Sequence, residues 1–202
     1  MIPQKPIFLW KYLGFKKNVL PKSVKRLFYL SWEDGLWDIL EKKNVRKGSV
    51  ILVPEFFCGD VENNIKNHGY KIRYYFVSEN LQTTDRQLLS AINKFEPKVI
   101  IIHHHVGIFN LLLSYKNWSK YVDNSIILIE DCVHRIVEPN QLKFIKQNHF
   151  FIDSLRKVVP LQGSVVYGQK NDLNFKQPPF YHSPLYSLKV HLLWIMMNLC
   201  WT

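Results

Sequence analysis

Residues 49–77 read SVILVPEFFCGDVENNIKNHGYKIRYYFV, and this stretch decides the fold. Ser49 to Val53 is an apolar run ended by Pro54, the pattern of a strand buried on both faces. Asp60 to His68 has helical spacing and is closed by Gly69, and Tyr70 to Val77 reads as a second strand. The same unit recurs on either side. Upstream, Leu27 to Leu30 is a short apolar run followed by Glu33-Asp34 and a helical stretch with Leu36, Trp37, Ile39 and Leu40 on one side. The acidic pair suits the positive end of that helix, and Lys47-Gly48 is expected to close it. Downstream, Leu88 to Phe95 reads as a helix stopped before Pro97, Val99 to Ile102 as a strand, Leu111 to Val122 as a helix and Ser125 to Ile129 as a strand. Strands of continuous apolar character alternating with amphipathic helices predict a doubly wound α/β fold with a mostly parallel sheet. Ligands of such sheets bind beyond the carboxyl ends of the strands. Pro54–Cys58, His103–Gly107 and Asp131–His134 therefore belong to one rim.

Outside this core the regularity stops. Residues 1–23 carry three prolines and many lysines and read as an N-terminal arm. Gln169 to Pro184 is polar and proline-bearing, as a linker is, and Leu185 to Trp201 looks like one helix, apolar nearly all round, that needs a partner to bury it. The expected organisation is an arm (1–23), a large domain (24–170) and a linker with one helix of an incomplete C-terminal domain (171–202).

With 202 residues and 47% hydrophobic content the chain can bury a substantial core. Its longest apolar window, Val190 to Cys200, is too short to span a bilayer and is interrupted by His191 and Asn198. The N-terminus lacks the sustained apolar core of a secretory signal. Cys58, Cys132 and Cys200 are scattered without a CxxC spacing, which disfavours a disulfide framework or a zinc site and fits a reducing cytoplasm. The net charge of +11 suits an anionic partner or simply a lysine-rich surface. The basic residues are spread along the chain, so nucleic acid is not the expected partner.

The chemistry gathers in residues 148–168, NHFFIDSLRKVVPLQGSVVYG, read together with Ile126-Ile127-Leu128-Ile129-Glu130-Asp131. Asp131 ends a strand on the rim, and Lys157 sits between two buried apolar runs. A carboxylate can keep a pyridine nitrogen protonated and a lysine can hold an aldehyde, the two contacts that pyridoxal phosphate (PLP) requires. Ser154 is placed to offer a hydroxyl to the phosphate, and Arg156 charge-assisted hydrogen bonds to a phosphate or carboxylate. The same residues also read as a helix-capping aspartate, a solvated loop lysine and a locally paired arginine. Spacing alone does not choose between the two.

The order IILIEDCVHR, then SLRKVVPLQGSVVY, resembles the PLP-dependent nucleotide-sugar aminotransferases of the DegT-like group, within the fold-type I transferases. VRKGSVILVPEFFCGDVENNIKNHGYKIRYYFV and IIIHHHVGIFN extend the resemblance over residues 24–170, with His104 and Gly107 at the family's His and Gly positions. It implies that Lys157 is the Schiff-base lysine and general base, Asp131 the partner of the pyridine nitrogen, His134 a residue beside the ring, and Ser154 a phosphate ligand. Cys58 would stand at the ring-stacking position, with Phe56 or Phe57 as substitutes for the aromatic, and Arg156 and His104 would meet substrate. The resemblance further implies a nucleotide-linked keto-sugar substrate, an amino-acid donor and a homodimer. The family opens its first helix with small residues that receive the phosphate; here the stretch is Ser31-Trp32-Glu33-Asp34-Gly35. That change, and a short C-terminal part, leave a second expectation, a non-catalytic or truncated homologue used for binding or as a partner subunit. His103-His104-His105 can place only His103 and His105 on one strand face, and no carboxylate lies within the run, so no metal is expected there. A serine hydrolase is disfavoured because no G-x-S-x-G occurs.

Overall fold

The structure, a computed structural model, describes residues 20–114, 122–138, 140, 142–157 and 163–174. Its strands are β1 (Val24–Tyr29), β2 (Val50–Pro54), β3 (Lys71–Tyr75), β4 (Val99–His103), β5 (Ile127–Asp131), β6 (His149–Ile152) and β7 (Ser164–Gln169). Its α-helices are α1 (Trp32–Lys42), α2 (Gly59–Asn67) and α3 (Asp85–Phe95). One sheet holds the strands in the order β1-β7-β6-β5-β4-β2-β3. The pairs from β3 across to β6 are parallel, whereas β7 runs antiparallel to both β6 and β1. The expected mostly parallel α/β sheet is therefore present, with an antiparallel margin.

Alternation along the strands explains why both faces are covered. Ile51, Val53, Ile101 and Ile129 join one apolar core with Leu36, Ile39 and Leu40 of α1 and Ile65 of α2. Their neighbours Leu52, Ile100, Ile102 and Leu128 point the other way and pack with Leu88, Ala91 and Ile92 of α3. Each strand thus feeds two cores, which is why its sequence shows no polar alternation. Within α1, Gly35 faces β7. A Cβ there would lie 2.7 Å from Val166 Cγ2, so the helix can sit this close to the sheet only with glycine at that position.

Several boundaries differ from the sequence reading. α1 stops at Lys42 rather than at Lys47-Gly48, because Asn44 takes the left-handed conformation (φ 53°) that ends the helix. α3 begins earlier, at Asp85, where Thr84 and Gln87 form a reciprocal capping box. The helix expected over Leu111–Val122 opens as a 3-10 turn, Leu111–Ser114, and residues 115–121 lie outside the described residues. The linker expected from Gln169 begins later: Gln169 closes β7, and Leu173 is fully buried in the core beneath it. Residues 1–19 of the expected arm and 175–202 of the expected C-terminal part also lie outside the described residues.

Candidate active site

From β2 the chain moves outward to β3, then returns through α3 to place β4 on the other side of β2. This reversal leaves a crevice at the carboxyl ends of β2 and β4, the usual ligand position in an open α/β sheet. A cavity of 560 Å³ lies there. Phe56, Phe57 and Cys58 line it after β2, His103 at the end of β4, and Asp131, Val133 and His134 at the end of β5. Ser154, Arg156 and Lys157 line it after β6, with Ser31, Trp32 and Glu33 at the start of α1. Seven of the residues singled out from sequence, Phe57, Cys58, Asp131, His134, Ser154, Arg156 and Lys157, share this one cavity.

Asp131 is 4% exposed and both of its carboxylate oxygens are engaged. His103 Nδ1 lies 2.7 Å from Oδ2, and the Val133 amide donates to Oδ1 at 3.2 Å. The imidazole reaches the carboxylate because β4 and β5 pair His103 directly opposite Asp131. His134 packs edge-on against His103 at 5.2 Å. Burial, reinforced by the neighbouring His103, pushes the His134 imidazole below its ordinary value, and Lys157 is close enough to add to the shift. His105 is pushed down by burial as well, and its Nε2 binds the Phe56 carbonyl at 2.7 Å, tying the loop after β2 to the end of β4. Lys157 is exposed to the cavity at the end of a 3-10 turn, Leu155–Lys157, closed by its own amide donating to the Ser154 carbonyl.

His104 does not meet this cavity, contrary to the substrate-binding role expected for it. Successive residues leaving β4 turn to opposite sides, and His104 lies fully buried on the other side of the sheet. There its Nε2 binds Glu130 Oε2 at 2.8 Å, and His149 Nε2 lies 2.9 Å from Oε1 without lining up as a hydrogen bond. The Asn110 amide donates to His104 Nδ1 and the Ile145 amide to His149 Nδ1, each at 3.2 Å. With Nδ1 accepting, each ring carries its proton on Nε2, so both imidazoles present N–H groups to one buried carboxylate. Burial pushes Glu130 up, yet the bond from His104 and the close approach of His149 outweigh it and hold the carboxyl below its ordinary value.

His104, Glu130 and Cys132 bring potential metal-ligand atoms within 4.8 Å of one another. Their chemistry is wrong for a cation. The proton on His104 Nε2 occupies the lone pair a metal needs, burial keeps the Cys132 thiol protonated, and the Arg135 guanidinium stands 3.2 Å from His104 Nε2.

Sequence reasoning did not single out the contact of His103 with Asp131, whereas Trp32 and Glu33, singled out there through the resemblance, do line the cavity. That contact needed the β4–β5 register.

No family model and no curated protein sequence matches the chain. Solved structures do. 3-Amino-5-hydroxybenzoic acid (AHBA) synthase superposes with a TM-score of 0.59 at 15% identity, over 74% of this chain and 39% of that one. A multiple substrate aminotransferase from Thermococcus profundus gives 0.57 at 11% identity, over 79% and 44%. Histidinol-phosphate aminotransferase from Sinorhizobium meliloti, in complex with pyridoxal-5'-phosphate, gives 0.53 at 10% identity, over 70% and 41%. The fold is thus that of the large domain of the PLP-dependent aminotransferases, and the chain spans less than half the length of these relatives. Among the described residues no helix is long and apolar enough to cross a membrane.

Proposed function

We propose that this chain is a PLP-dependent aminotransferase scaffold that places an amino group on a nucleotide-linked keto-sugar, with an amino acid such as glutamate as donor. The observation that carries the reading is the convergence of Asp131, His134, Ser154 and Lys157 on one cavity at the switch point of the sheet. Asp131 offers a buried carboxylate to a protonated ring nitrogen, and His103 and the Val133 amide hold that carboxylate in place. His134, Phe57 and Cys58 line the cavity and would be the residues beside the ring. Lys157, exposed at the cavity surface, would hold the aldehyde and carry protons to and from the adjacent carbon. When bound, PLP supplies the electron sink that makes a proton alpha to the amine removable. The lowered pKa of His134 keeps it neutral near pH 7, so it adds no positive charge beside Lys157. Arg156, at the cavity mouth, is suited to the diphosphate of the sugar or the carboxylate of the donor. Work as a homodimer in the cytoplasm belongs to the same proposal.

The test is direct. Protein incubated with PLP should gain a visible absorption band, and borohydride should then fix the cofactor to the peptide containing Lys157. The Lys157→Ala variant should show neither. A colourless wild type at excess PLP would sink the cofactor reading. Glutamate-dependent amination of a keto-sugar nucleotide tests the substrate reading separately.

A second reading, a binding or partner subunit without catalysis, is favoured by one observation. Trp32 and Glu33 stand on the wall where a phosphate would approach the start of α1, and a carboxylate repels a dianion. Coloured, reducible protein that transfers no amine from any donor would support it.

A further inference from the structure

The chain leaves β4 through a strained turn. Val106 takes the left-handed conformation (φ 47°, ψ 27°), which a β-branched residue rarely adopts, and at 72% exposure its side chain gains no burial to offset the strain. Strain of this kind persists only where the surroundings fix it. Two contacts fix it here. On one side His105, 8% exposed, directs Nε2 at the Phe56 carbonyl at 2.7 Å. Burial holds this imidazole below its ordinary value, so near pH 7 it is neutral, and the carbonyl requires its single proton to sit on Nε2. On the other side Gly107 (φ 83°) approaches the loop after β5 so closely that a Cβ would stand 2.9 Å from the His134 carbonyl. Between the two, His103 meets Phe57 edge-on at 6.0 Å and His134 at 5.2 Å. Residues 103–107 therefore brace both Phe57 and His134. The loop after β2 depends on that brace. Phe56 and Cys58 are exposed, and Cys58 opens α2 without a side-chain cap. Among the described residues no hydrogen bond other than that of His105 joins Phe56, Phe57 or Cys58 to a neighbouring strand.

Resting on the reading above, we propose that the turn His105–Gly107 sets the width of the cofactor cavity, and that His105 is a positioning residue that holds Phe57 at the cavity wall through the Phe56 carbonyl. The aromatic wall is then placed by the end of β4 rather than by the exposed loop that carries it. His105 does this without lining the cavity itself.

The experiment titrates PLP by its visible band in the wild type, His105→Leu and His105→Gln, and repeats the leucine comparison in a Phe57→Ala background. Glutamine places an amide N–H where Nε2 stands, and leucine has none. A net hydrogen bond corresponds to roughly 2- to 10-fold in affinity. His105→Leu should weaken PLP by that factor, and His105→Gln should bind within about twofold of wild type. In the Phe57→Ala background the leucine change should cost nothing further, because a positioning residue acts only through the side chain it positions. A general loss of stability would instead weaken both backgrounds alike. Folding is checked by circular dichroism, and His105→Asn, too short to reach the carbonyl, takes the place of leucine if that variant does not fold. Equal losses in the two backgrounds, no loss in either, or failure of both variants to fold would overturn the inference. A second readout needs no cofactor: amide hydrogen exchange over residues 55–58 should be faster in His105→Leu than in wild type or His105→Gln. Unchanged exchange would overturn the inference while leaving the cofactor reading to the visible band. No band in the wild type would overturn the cofactor reading and the inference with it, whatever the exchange rates.

Discussion

Glu130→Gln is the sharpest test of the buried polar knot behind the candidate site. The carboxylate is 3% exposed; fully buried His104 donates Nε2–H to it at 2.8 Å, and the Nε2 of His149, also fully buried, lies 2.9 Å from its other oxygen. Glutamine keeps the shape but replaces one acceptor by an amide N–H, so one imidazole meets donor against donor. An orphaned buried donor costs about 1–3 kcal/mol, and the surviving bond loses its charge assistance, worth roughly another 1 kcal/mol. The expected loss is about 2–4 kcal/mol, read as a lower urea midpoint at pH 7 with an unchanged slope. There is also a pH signature. Because the folded carboxyl is held below its ordinary value, its contribution is present above that value and lost as the pH falls through the lowered one. Wild type should lose this increment on acidification and Glu130→Gln should not. A glutamine variant within about 0.5 kcal/mol of wild type, with the same acid limb, would refute the assignment of both protons to Nε2.

Three further outcomes follow from the geometry. Asp153, 7% exposed, is pushed up to about 6 by burial although the Val165 amide binds its Oδ1 at 2.7 Å; a raised folded value means stability is lost as pH rises from about 4 to 6. Asp153→Asn should therefore be more stable than wild type at pH 7.5, by up to about 2 kcal/mol in urea, and show a flatter profile across that window. Gly35→Ala should destabilise by about 1–3 kcal/mol through its contact with Val166, and in a Val166→Ala background the same change should become neutral or stabilising, since alanine is the better helix former. His103→Leu removes the donor at 2.7 Å from Asp131 and should cost about 1–3 kcal/mol in urea, with a matching rise in the pH at which the PLP-loaded protein changes colour.

The sheet was legible because its strands are buried on both faces: Val50–Val53 and Val99–Ile102 carry no polar residue to disguise them. The antiparallel margin was not, since Val165-Val166-Tyr167 reads the same in either direction and only its pairing with Val24–Tyr29 sets the sense. Helix ends slipped where a local conformation decides them, as at Asn44. Thr84 and Gln87, by contrast, are a capping signature that the sequence does contain. At the site, Asp131 and Lys157 could be brought to one rim because the first ends a strand and the second comes shortly after one. His104 went to the wrong side because a run of three histidines hides which one the last strand residue is, and His103 emerged as the Asp131 partner only from the register.

The pairing of β1 with β7 also fixes when the cavity can exist. The two strands join residues 24–29 to 164–169, and α1 packs onto β7 through Gly35 and Val166. The wall bearing Ser31, Trp32 and Glu33 is therefore held in place only when residues 24–29 and 164–169, far apart in the chain, have met. Closing so long a loop is a slow step in folding. The two sides of the cavity, Asp131 and Lys157 on one and the start of α1 on the other, are thus joined through this one strand pairing, and a substitution that weakens β1–β7 pairing should open the cavity without touching its lining.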